Sequence, residues 1–252
     1  MEVLNMIEIK NLTKKYNNKL ALDDVSLNID QGELIGLFGE NGAGKTTLIK
    51  SIFGFISYQG EILLDGQKIN RKNLARLSFA SSEHTFFPNI DAKAHREFYR
   101  EHFDRFNEKR FSGLMDFFAL PYDKPIRTLS FGQQNQFEVL MALSQGADYI
   151  FMDEPFTGND VFNREDFYKL LVGVLEPHET IFLSTHLIEE VSGFVDRAVL
   201  LRQGKIIGDV DTMDLEERQI SLIDYVKENY DYQADRVSKA LKTINGEDDE
   251  NA

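Results

Sequence analysis

The sequence predicts an α/β fold in which buried strands carry polar residues at their carboxyl ends. Residues 34–38, 149–152 and 180–185 are almost continuously apolar, as strands buried on both faces of a sheet are. The first is followed by a glycine-rich turn and a helical pattern, and the other two end in Asp153 and His186. Because ligands bind where the strands of an open α/β sheet end, we expect the functional site at this edge.

Shorter strands and hairpins flank these buried strands. Alternating apolar and polar residues predict strands at residues 7–12 and 22–29, the second ending in a turn at Gln31-Gly32. Asp65-Gly66, directly after residues 60–64, is a strong hairpin signal. The remaining predicted strands are residues 75–80 and a closing hairpin of residues 199–201 and 206–207 around Gln203-Gly204.

The middle of the chain is predicted to be helical and rich in aromatic residues. The helical pattern covers residues 91–120, and Pro121 and Pro125 end it. One helical face carries Phe111, Leu114, Met115 and Phe118. Their spacing of i, i+3, i+4 and i+7 indicates residues that pack on the core.

Two further helices are predicted. Ser130 is a good N-cap for a helix that carries Phe137, Leu140 and Met141 at helical spacing. A C-terminal extension is helical over residues 214–241 and ends in an acidic tail that we expect to be disordered. Its apolar face consists of Ile220, Ile223, Val226 and Tyr230. We expect an interface or a lid there rather than part of the functional site, and simple packing on the chain's own core is the alternative.

The turn after residues 34–38 has the spacing of a phosphate-binding loop: glycine, four residues, then Gly-Lys-Thr. Glycines let successive N–H groups face phosphate oxygens, and the loop opens a helix whose N-terminus favours negative charge. We expect Lys45 to reach the β- and γ-phosphates and the Thr46 hydroxyl to bind Mg²⁺. An ordinary strand-to-helix turn is the alternative. The predicted phosphate contacts are Gly39, Asn41, Gly42, Gly44, Lys45, Thr46 and Thr47.

Three polar residues at the ends of the other buried strands fit phosphoryl chemistry. Asp153 closes an apolar strand, where it can hold Mg²⁺, and Glu154 next to it can polarise an attacking water. The alternative for this pair is an acidic helix start before Pro155. His186 is expected to contact the γ-phosphate, although a lone histidine is usually structural.

Composition limits the possible functions. The 252 residues suffice for one large domain, or for one domain with an inserted lobe. With 28 Lys and Arg against 42 Asp and Glu, the formal charge of −14 argues against a nucleic-acid partner. There is no cysteine, and we see neither a signal peptide nor an apolar run long enough to span a membrane. A membrane function would therefore need a partner that supplies the spanning part.

Together, these motifs resemble the ATP-binding cassette (ABC) ATPases, the motor subunits of ABC transporters. The resemblance covers about residues 6–210, with the motifs in the family's order. Residues 39–47 match Walker A, residues 150–154 match Walker B, and residues 129–133 (Leu-Ser-Phe-Gly-Gln) match the family signature. Asn159-Asp160 matches the D-loop, and His186 matches the switch histidine. Tyr16 matches the aromatic residue that stacks on adenine. For Tyr16, an aromatic on the surface at a strand end is the alternative. The signature discriminates most, because a phosphate loop alone also suits kinases or GTPases.

The resemblance implies a role for each matched residue. Glu154, His186 and Lys45 would be catalytic. Nucleotide contacts beyond the phosphate loop would come from Tyr16, Ser130, Gly132, Gln133 and Asp160. Thr46 and Asp153 would hold Mg²⁺. ATP and Mg²⁺ are thus the implied substrate and cofactor.

One position departs from the family. The Q-loop glutamine, which normally contacts Mg²⁺ or the attacking water, aligns with Ser82 when Pro88 is used as the anchor. A serine hydroxyl can still donate and accept a hydrogen bond, but it is shorter than a glutamine amide. We therefore place Ser82 among the metal contacts and expect it to act through a water molecule.

The resemblance also implies an architecture. The fold would be a P-loop NTPase with a RecA-like core, an antiparallel β subdomain and an inserted helical lobe. Residues 6–81 and 145–211 would form the ATP-binding core, residues 82–144 the lobe with the signature, and residues 212–252 the C-terminal extension. Two such domains, identical or different, would meet head to tail, each clasping ATP between its own phosphate loop and its partner's signature.

The implied function is an ATP-hydrolysing motor for separate transmembrane permease subunits, held through them at the cytoplasmic face of the cell membrane. A single cassette without a long added domain resembles bacterial exporter subunits more than sugar importers, and peptide or antimicrobial cargo is a guess. Two alternatives stay open: an ABC ATPase that acts on ribosomes or nucleic acid, and a nucleotide-binding regulator without turnover.

Overall fold

The computed structural model describes residues 6–155 and 161–230, which form two β-sheets flanked by helices. The strands are β1 (Met6–Tyr16), β2 (Lys19–Asp30), β3 (Leu34–Phe38), β4 (Gln59–Leu64), β5 (Gln67–Lys68), β6 (Leu77–Ser81), β7 (Tyr149–Asp153), β8 (Thr180–Thr185), β9 (Arg197–Arg202) and β10 (Lys205–Asp211). The helices are α1 (Lys45–Ile52), α2 (Ala92–His102), α3 (Glu108–Phe117), α4 (Phe131–Ser144), α5 (Val161–Val174), α6 (Ile188–Val191), α7 (Thr212–Glu217) and α8 (Leu222–Asn229). Short 3₁₀ helices cover Leu74–Arg76 and Ile126–Thr128.

The larger sheet confirms the predicted buried strands. Its order is β10-β9-β3-β8-β7-β6, and neighbours from β9 to β6 pair in parallel while β10 returns antiparallel. Every residue of β3, β7 and β8 is buried, which explains why these segments lack polar alternation. Because the strands are parallel, the carboxyl ends of β3, β7 and β8 meet at one edge of the sheet.

The smaller sheet is antiparallel, with the order β2-β1-β4-β5. The predicted hairpin turn joins β4 to β5, and Asp65 and Gly66 have φ values of 50° and 72°. Positive φ at both positions is what a tight type I′ turn requires. The buried side of this sheet shares a hydrophobic layer with α1 and one face of the larger sheet, which brings the β1–β2 hairpin beside the start of α1.

A second hydrophobic cluster lies on the other face of the larger sheet and joins it to α3, α4 and α8. Phe111, Leu114, Met115, Phe137, Leu140 and Met141 are all buried in this cluster, which confirms their prediction as core residues, while Phe118 is partly buried against it. Of the residues that the structure describes, none belongs to a helix long and apolar enough to cross a lipid bilayer.

Three element boundaries differ from the prediction. The helical pattern of residues 91–120 is interrupted between α2 and α3, because Asn107 turns out of the helix and its side chain accepts a hydrogen bond from the Arg110 N–H as an N-cap. The strand expected at residues 75–80 begins later, after the 3₁₀ turn. Up to residue 230, the expected C-terminal helix is two short helices, divided at the second N-cap, Ser221, and the predicted residues 231–241 lie outside the described part of the chain.

The predicted apolar face of the C-terminal extension is partly wrong. Ile220 lies outside the helices and is exposed, whereas Leu222 and Val226 are the buried residues of α8. Both join the hydrophobic cluster of the larger sheet. The described part of the extension therefore packs on the chain's own core, which was the alternative interpretation. The predicted acidic tail lies outside the described residues.

Candidate functional site

The predicted phosphate loop connects β3 to α1 in a conformation that requires glycine. Gly42 and Gly44 have φ values of 84° and 116°, a region that side-chain-bearing residues rarely adopt. A Cβ atom on Gly39 would lie 2.5 Å from the carbonyl oxygen of Leu201, and one on Gly44 would lie 2.5 Å from that of Ala21. The glycine pattern is thus explained by close backbone contacts as well as by the turn itself.

A cavity of about 290 Å³ opens above this loop. It is lined by Tyr16, Lys19, Leu20, Ala21, Glu40, Asn41, Gly42, Gly44, Lys45, Thr46, Thr47 and Glu154. Tyr16 stands half-exposed at the end of β1, with the Lys14 ammonium 4.9 Å from its ring centroid. The sequence reasoning missed the residues from β2, and their position directly across the Asn17-Asn18 turn from Tyr16 was the available signal.

The two predicted magnesium ligands of β7 and α1 touch each other. The Thr46 hydroxyl donates to Oδ2 of Asp153 over 2.6 Å, and the Ser184 hydroxyl donates to Oδ1 of the same carboxylate. Asp153 is 4% exposed. A buried carboxylate and a hydroxyl that converge in this way provide the hard oxygen ligands that Mg²⁺ takes, so the residues present fit the ion. Ser184 was missed, although it stands in the buried run of β8 beside Asp153.

Glu154 connects the catalytic candidates at the edge of the sheet. Its Oε1 lies 3.3 Å from Nζ of Lys45, and its Oε2 lies 3.0 Å from Nδ1 of His186. Its backbone has a positive φ of 50°, and its N–H donates to the Ser184 carbonyl of β8 over 3.0 Å. Three neighbouring strands therefore deliver Lys45, Glu154 and His186 to one place, as the sequence predicts.

Lys45 is nearly buried, and its ammonium group donates to the Gly39 carbonyl over 2.7 Å. A buried ammonium needs such partners, because removing a charge from water is costly unless it is paired. The charge is thus fixed at the floor of the cavity, next to the loop's own backbone.

Ser82 lies in the turn after β6, partly buried. Its neighbour Ser81 is the last residue of β6, is buried, and pairs in register with Asp153. The next residue, Glu83, forms an ion pair with Lys50 of α1 over 2.7 Å. Ser82 therefore directly follows the residue that pairs with Asp153, one of the two proposed magnesium ligands. Its contact with the metal stays a prediction.

The predicted signature residues lie at the start of α4 and do not line the cavity. Ser130 and Gln133 form a reciprocal capping box: the Ser130 hydroxyl accepts from the Gln133 N–H over 3.2 Å, and the Gln133 amide oxygen accepts from the Ser130 N–H over 3.1 Å. Gly132 is half-buried, and Phe131 is exposed. The chain does not bring these residues to its own cavity. Asp160 lies outside the described residues.

A buried carboxylate that the sequence reasoning missed ties α4 to the segment after β6. Oε1 of Glu138 accepts hydrogen bonds from the Thr85 N–H over 2.8 Å and from the Thr85 hydroxyl over 2.6 Å. Burial raises the pKa of Glu138 to about 7, although these hydrogen bonds oppose the rise. A second link joins the His84 ring to the Asn135 side chain over 2.6 Å. A charged residue in the middle of an apolar helix was the available signal.

A glycine loop between a parallel strand and a helix, with an acidic residue at the end of another strand of the same sheet, two places away, defines the class of P-loop NTPases. The ABC transporter family model matches residues 22–157, more than half of the chain. An uncharacterized ABC transporter ATP-binding protein of Methanocaldococcus jannaschii is 31% identical over 206 residues, covering 80% of this chain and 76% of that protein. The ABC transporter ATP-binding protein YtrB of Bacillus subtilis is 29% identical over 221 residues, covering 86% of this chain and 76% of YtrB.

The chain belongs to the ABC transporter family, as an ATP-binding subunit. Its fold agrees: the solved structure of an ATP-binding subunit of an ABC transporter superposes with a TM-score of 0.78 at 22% identity, covering 89% of this chain and 99% of that one. The predicted fold class, a P-loop NTPase core with an antiparallel sheet and a helical lobe, is thereby confirmed. Members of this family bind and hydrolyse ATP and work with transmembrane subunits.

Proposed function

We propose that this chain hydrolyses ATP at the edge of the larger sheet and that hydrolysis powers transport by separate membrane subunits. The observation that carries the proposal is the position of Glu154, between the Lys45 ammonium and the His186 ring and next to Asp153 in the chain. Glu154 also lines the cavity above the phosphate loop, so its carboxylate is within reach of a molecule bound there.

Each residue at the edge has a task in this proposal. The phosphate loop and Lys45 bind the phosphates, and Thr46 and Asp153 hold Mg²⁺, which neutralises charge on the phosphate oxygens when bound. Glu154 accepts a proton from the attacking water at its carboxylate oxygen, and His186 orients that carboxylate through its contact with Oε2. Ring stacking on Tyr16 positions the adenine.

We assign the second half of the ATP site to another cassette, which we take to be a second copy of this chain. The support is the start of α4, where Ser130 and Phe131 are exposed and away from the cavity of their own chain. Helix N-termini favour phosphate groups, so a signature facing the γ-phosphate of a partner would complete the enclosure. The division into core, helical lobe and C-terminal extension is part of this proposal.

We propose that the helical lobe, residues 82–144, docks on the membrane partner. Aromatic side chains are numerous there, and Phe87 is 51% exposed while it packs on His95 and Phe98. Exposed aromatic patches mark interaction sites. Phe86 is less suitable than the sequence suggested, because its ring packs against Phe137. A cysteine at position 87 should cross-link to a co-expressed membrane subunit, and cross-links only at other positions would refute this surface.

Export is the proposed direction, with a peptide antibiotic as cargo. Among similar proteins, SrtF of Streptococcus pyogenes is a lantibiotic transport ATP-binding protein, and BcrA of Bacillus licheniformis is a bacitracin transport ATP-binding protein. RbsA of Clostridium tetani, however, is a ribose import protein, so family membership alone leaves the direction open. Co-expression with the membrane subunit should lower accumulation of labelled bacitracin or lantibiotic in cells. Equal accumulation with an inactive Glu154→Gln subunit would contradict this cargo.

Phosphate release from Mg-ATP by the purified chain tests the proposed hydrolysis. Lys45→Ala should lose both ATP binding and phosphate release, because the buried ammonium at the floor of the cavity is removed. Unchanged phosphate release in this variant would place the activity elsewhere and overturn the proposal. ATP binding without any release by the wild-type chain or by its membrane complex would favour a regulator.

A further inference from the structure

The C-terminal extension makes a direct contact with the base of the phosphate loop. Tyr230 follows α8, and its hydroxyl donates to the Leu201 carbonyl over 2.8 Å. The same hydroxyl lies 3.4 Å from the carbonyl of Phe38, the last residue before the loop. The sequence predicts that the extension is not part of the functional site, and Tyr230 does not line the cavity, but this contact connects the extension to the loop.

The Leu201 carbonyl, at the end of β9, packs directly against the phosphate loop. The backbone of Gly39 packs so closely on this oxygen that a Cβ there would approach it to 2.5 Å. At the other end of the loop, the Ala43 carbonyl accepts a hydrogen bond from the Gly204 N–H over 2.8 Å. Both ends of the loop thus contact β9 or the turn that follows it, and Tyr230 donates its hydrogen bond to the same β9 carbonyl that packs on Gly39.

The surroundings of the phenol keep it a hydrogen-bond donor. Burial, and then the negative charge of Glu40, raise the pKa of Tyr230 to about 12, and Arg202 opposes the rise. The Arg202 guanidinium lies 5.8 Å from the centroid of the ring. An ordinary tyrosine already keeps its proton at physiological pH, and this rise extends the range over which the hydroxyl donates. Glu40 is itself a residue of the phosphate loop that lines the cavity.

We propose that Tyr230 is a positioning residue through which the C-terminal extension sets the shape of the phosphate loop and hence its affinity for nucleotide phosphates. The inference rests on the proposed ATP binding at this loop. Without the hydroxyl, the carbonyls of Leu201 and Phe38 would be less restrained. The N–H groups of the loop would then adopt the phosphate-binding orientation for a smaller fraction of the time. The extension would then tune nucleotide binding without lining the cavity.

The test compares Tyr230→Phe with Tyr225→Phe in the full chain. Tyr225 lies on α8 and contacts β10 at Gly208 and Asp209, so its variant removes a tyrosine hydroxyl from the same extension without touching the loop. Affinities for Mg-ATP and Mg-ADP, the unfolding midpoint and the maximal turnover rate are measured for both variants. Tyr230→Phe should bind both nucleotides about fivefold more weakly, which is the roughly 1 kcal/mol of one neutral hydrogen bond.

A purely structural role predicts a different pattern. If Tyr230 only anchors α8, both variants should lower the unfolding midpoint alike and bind nucleotide equally well. Positioning instead predicts a selective loss of nucleotide affinity in Tyr230→Phe at an unfolding midpoint no lower than that of Tyr225→Phe, and a turnover rate at saturating ATP within about twofold of wild type. Affinity in Tyr230→Phe within twofold of Tyr225→Phe overturns the inference. A wild-type chain that binds no Mg-ATP overturns the proposed function, and this inference with it.

Discussion

The edge of the larger sheet and the start of α4 are both proposed to bind phosphate, yet they differ in what surrounds them. At the sheet edge, buried parallel strands hold Lys45, Glu154 and His186 within 3.3 Å of their neighbours and next to a cavity. At the start of α4, Ser130 and Gln133 satisfy each other in a capping box on the surface. The first region lines a cavity of its own chain, whereas the second is exposed and, in the proposed function, acts only when another chain meets it.

The largest effect is expected at the sheet edge. Glu154→Gln keeps the shape of the side chain but removes the base, so turnover should fall 10²- to 10⁴-fold while Mg-ATP binding is retained. Steady-state phosphate release and nucleotide binding on the purified complex measure the two quantities.

Glu189→Gln provides the control, because it removes an exposed carboxylate three residues after His186. Its turnover should match that of wild type. Turnover of Glu154→Gln within threefold of wild type would show that the sheet edge does not supply the base.

The start of α4 should give a smaller loss of a different kind. Ser130→Asp keeps an N-cap of equal quality but places a negative charge on the surface proposed to face a partner's γ-phosphate. Like charges across an interface cost several kcal/mol, so turnover should fall at least tenfold, with the unfolding midpoint and single-chain ATP affinity unchanged.

Asn107→Asp is the matched control for Ser130→Asp, since it adds the same charge at the N-cap of α3. Equal turnover in the two variants would mean that the start of α4 does not meet nucleotide.

The sequence predicted the sheet edge well because local rules determine it. Glycine spacing, buried apolar runs and the polar residue after each run are all visible in the chain, and parallel pairing then brings them together. Contacts between distant segments were not predictable. The bond from Ser184 to Asp153 and that from Tyr230 to Leu201 depend on which strands become neighbours and how far a helix extends, and neither leaves a periodic signal.

The buried Glu138 carboxylate, which joins α4 to the segment after β6, should make the free energy of unfolding depend on pH. Glu138 holds its proton up to about pH 7 in the folded chain, against 4.5 ordinarily, so the folded state binds the extra proton between these values. Its contribution to stability is complete below pH 4.5 and is lost as pH rises through 7. Relative to Glu138→Gln, wild type should lose up to about 3 kcal/mol over this range.

Urea unfolding of both proteins from pH 5 to 8 measures this difference. Only the slope of the difference with pH matters, because a constant offset comes from the amide itself. Parallel curves would show that Glu138 is ionised throughout.

Ser82 should have the smallest effect, although it occupies the family's glutamine position. A water-mediated or neutral hydrogen bond is worth about 1.4 kcal/mol at most, so Ser82→Ala should lower turnover less than about tenfold. The same phosphate-release assay applies. A loss as large as that of Glu154→Gln, with Mg-ATP still bound, would make the serine a direct catalytic ligand.

Whether the two regions form one site across two chains is tested most directly by the mass of the Glu154→Gln protein in Mg-ATP, measured by light scattering. With hydrolysis blocked, we predict an ATP-dependent doubling of mass, and a Glu154→Gln, Ser130→Asp double variant that binds Mg-ATP but keeps the mass of one chain. A Glu154→Gln protein that binds Mg-ATP and remains a single chain, or a double variant that pairs equally well, would contradict the account.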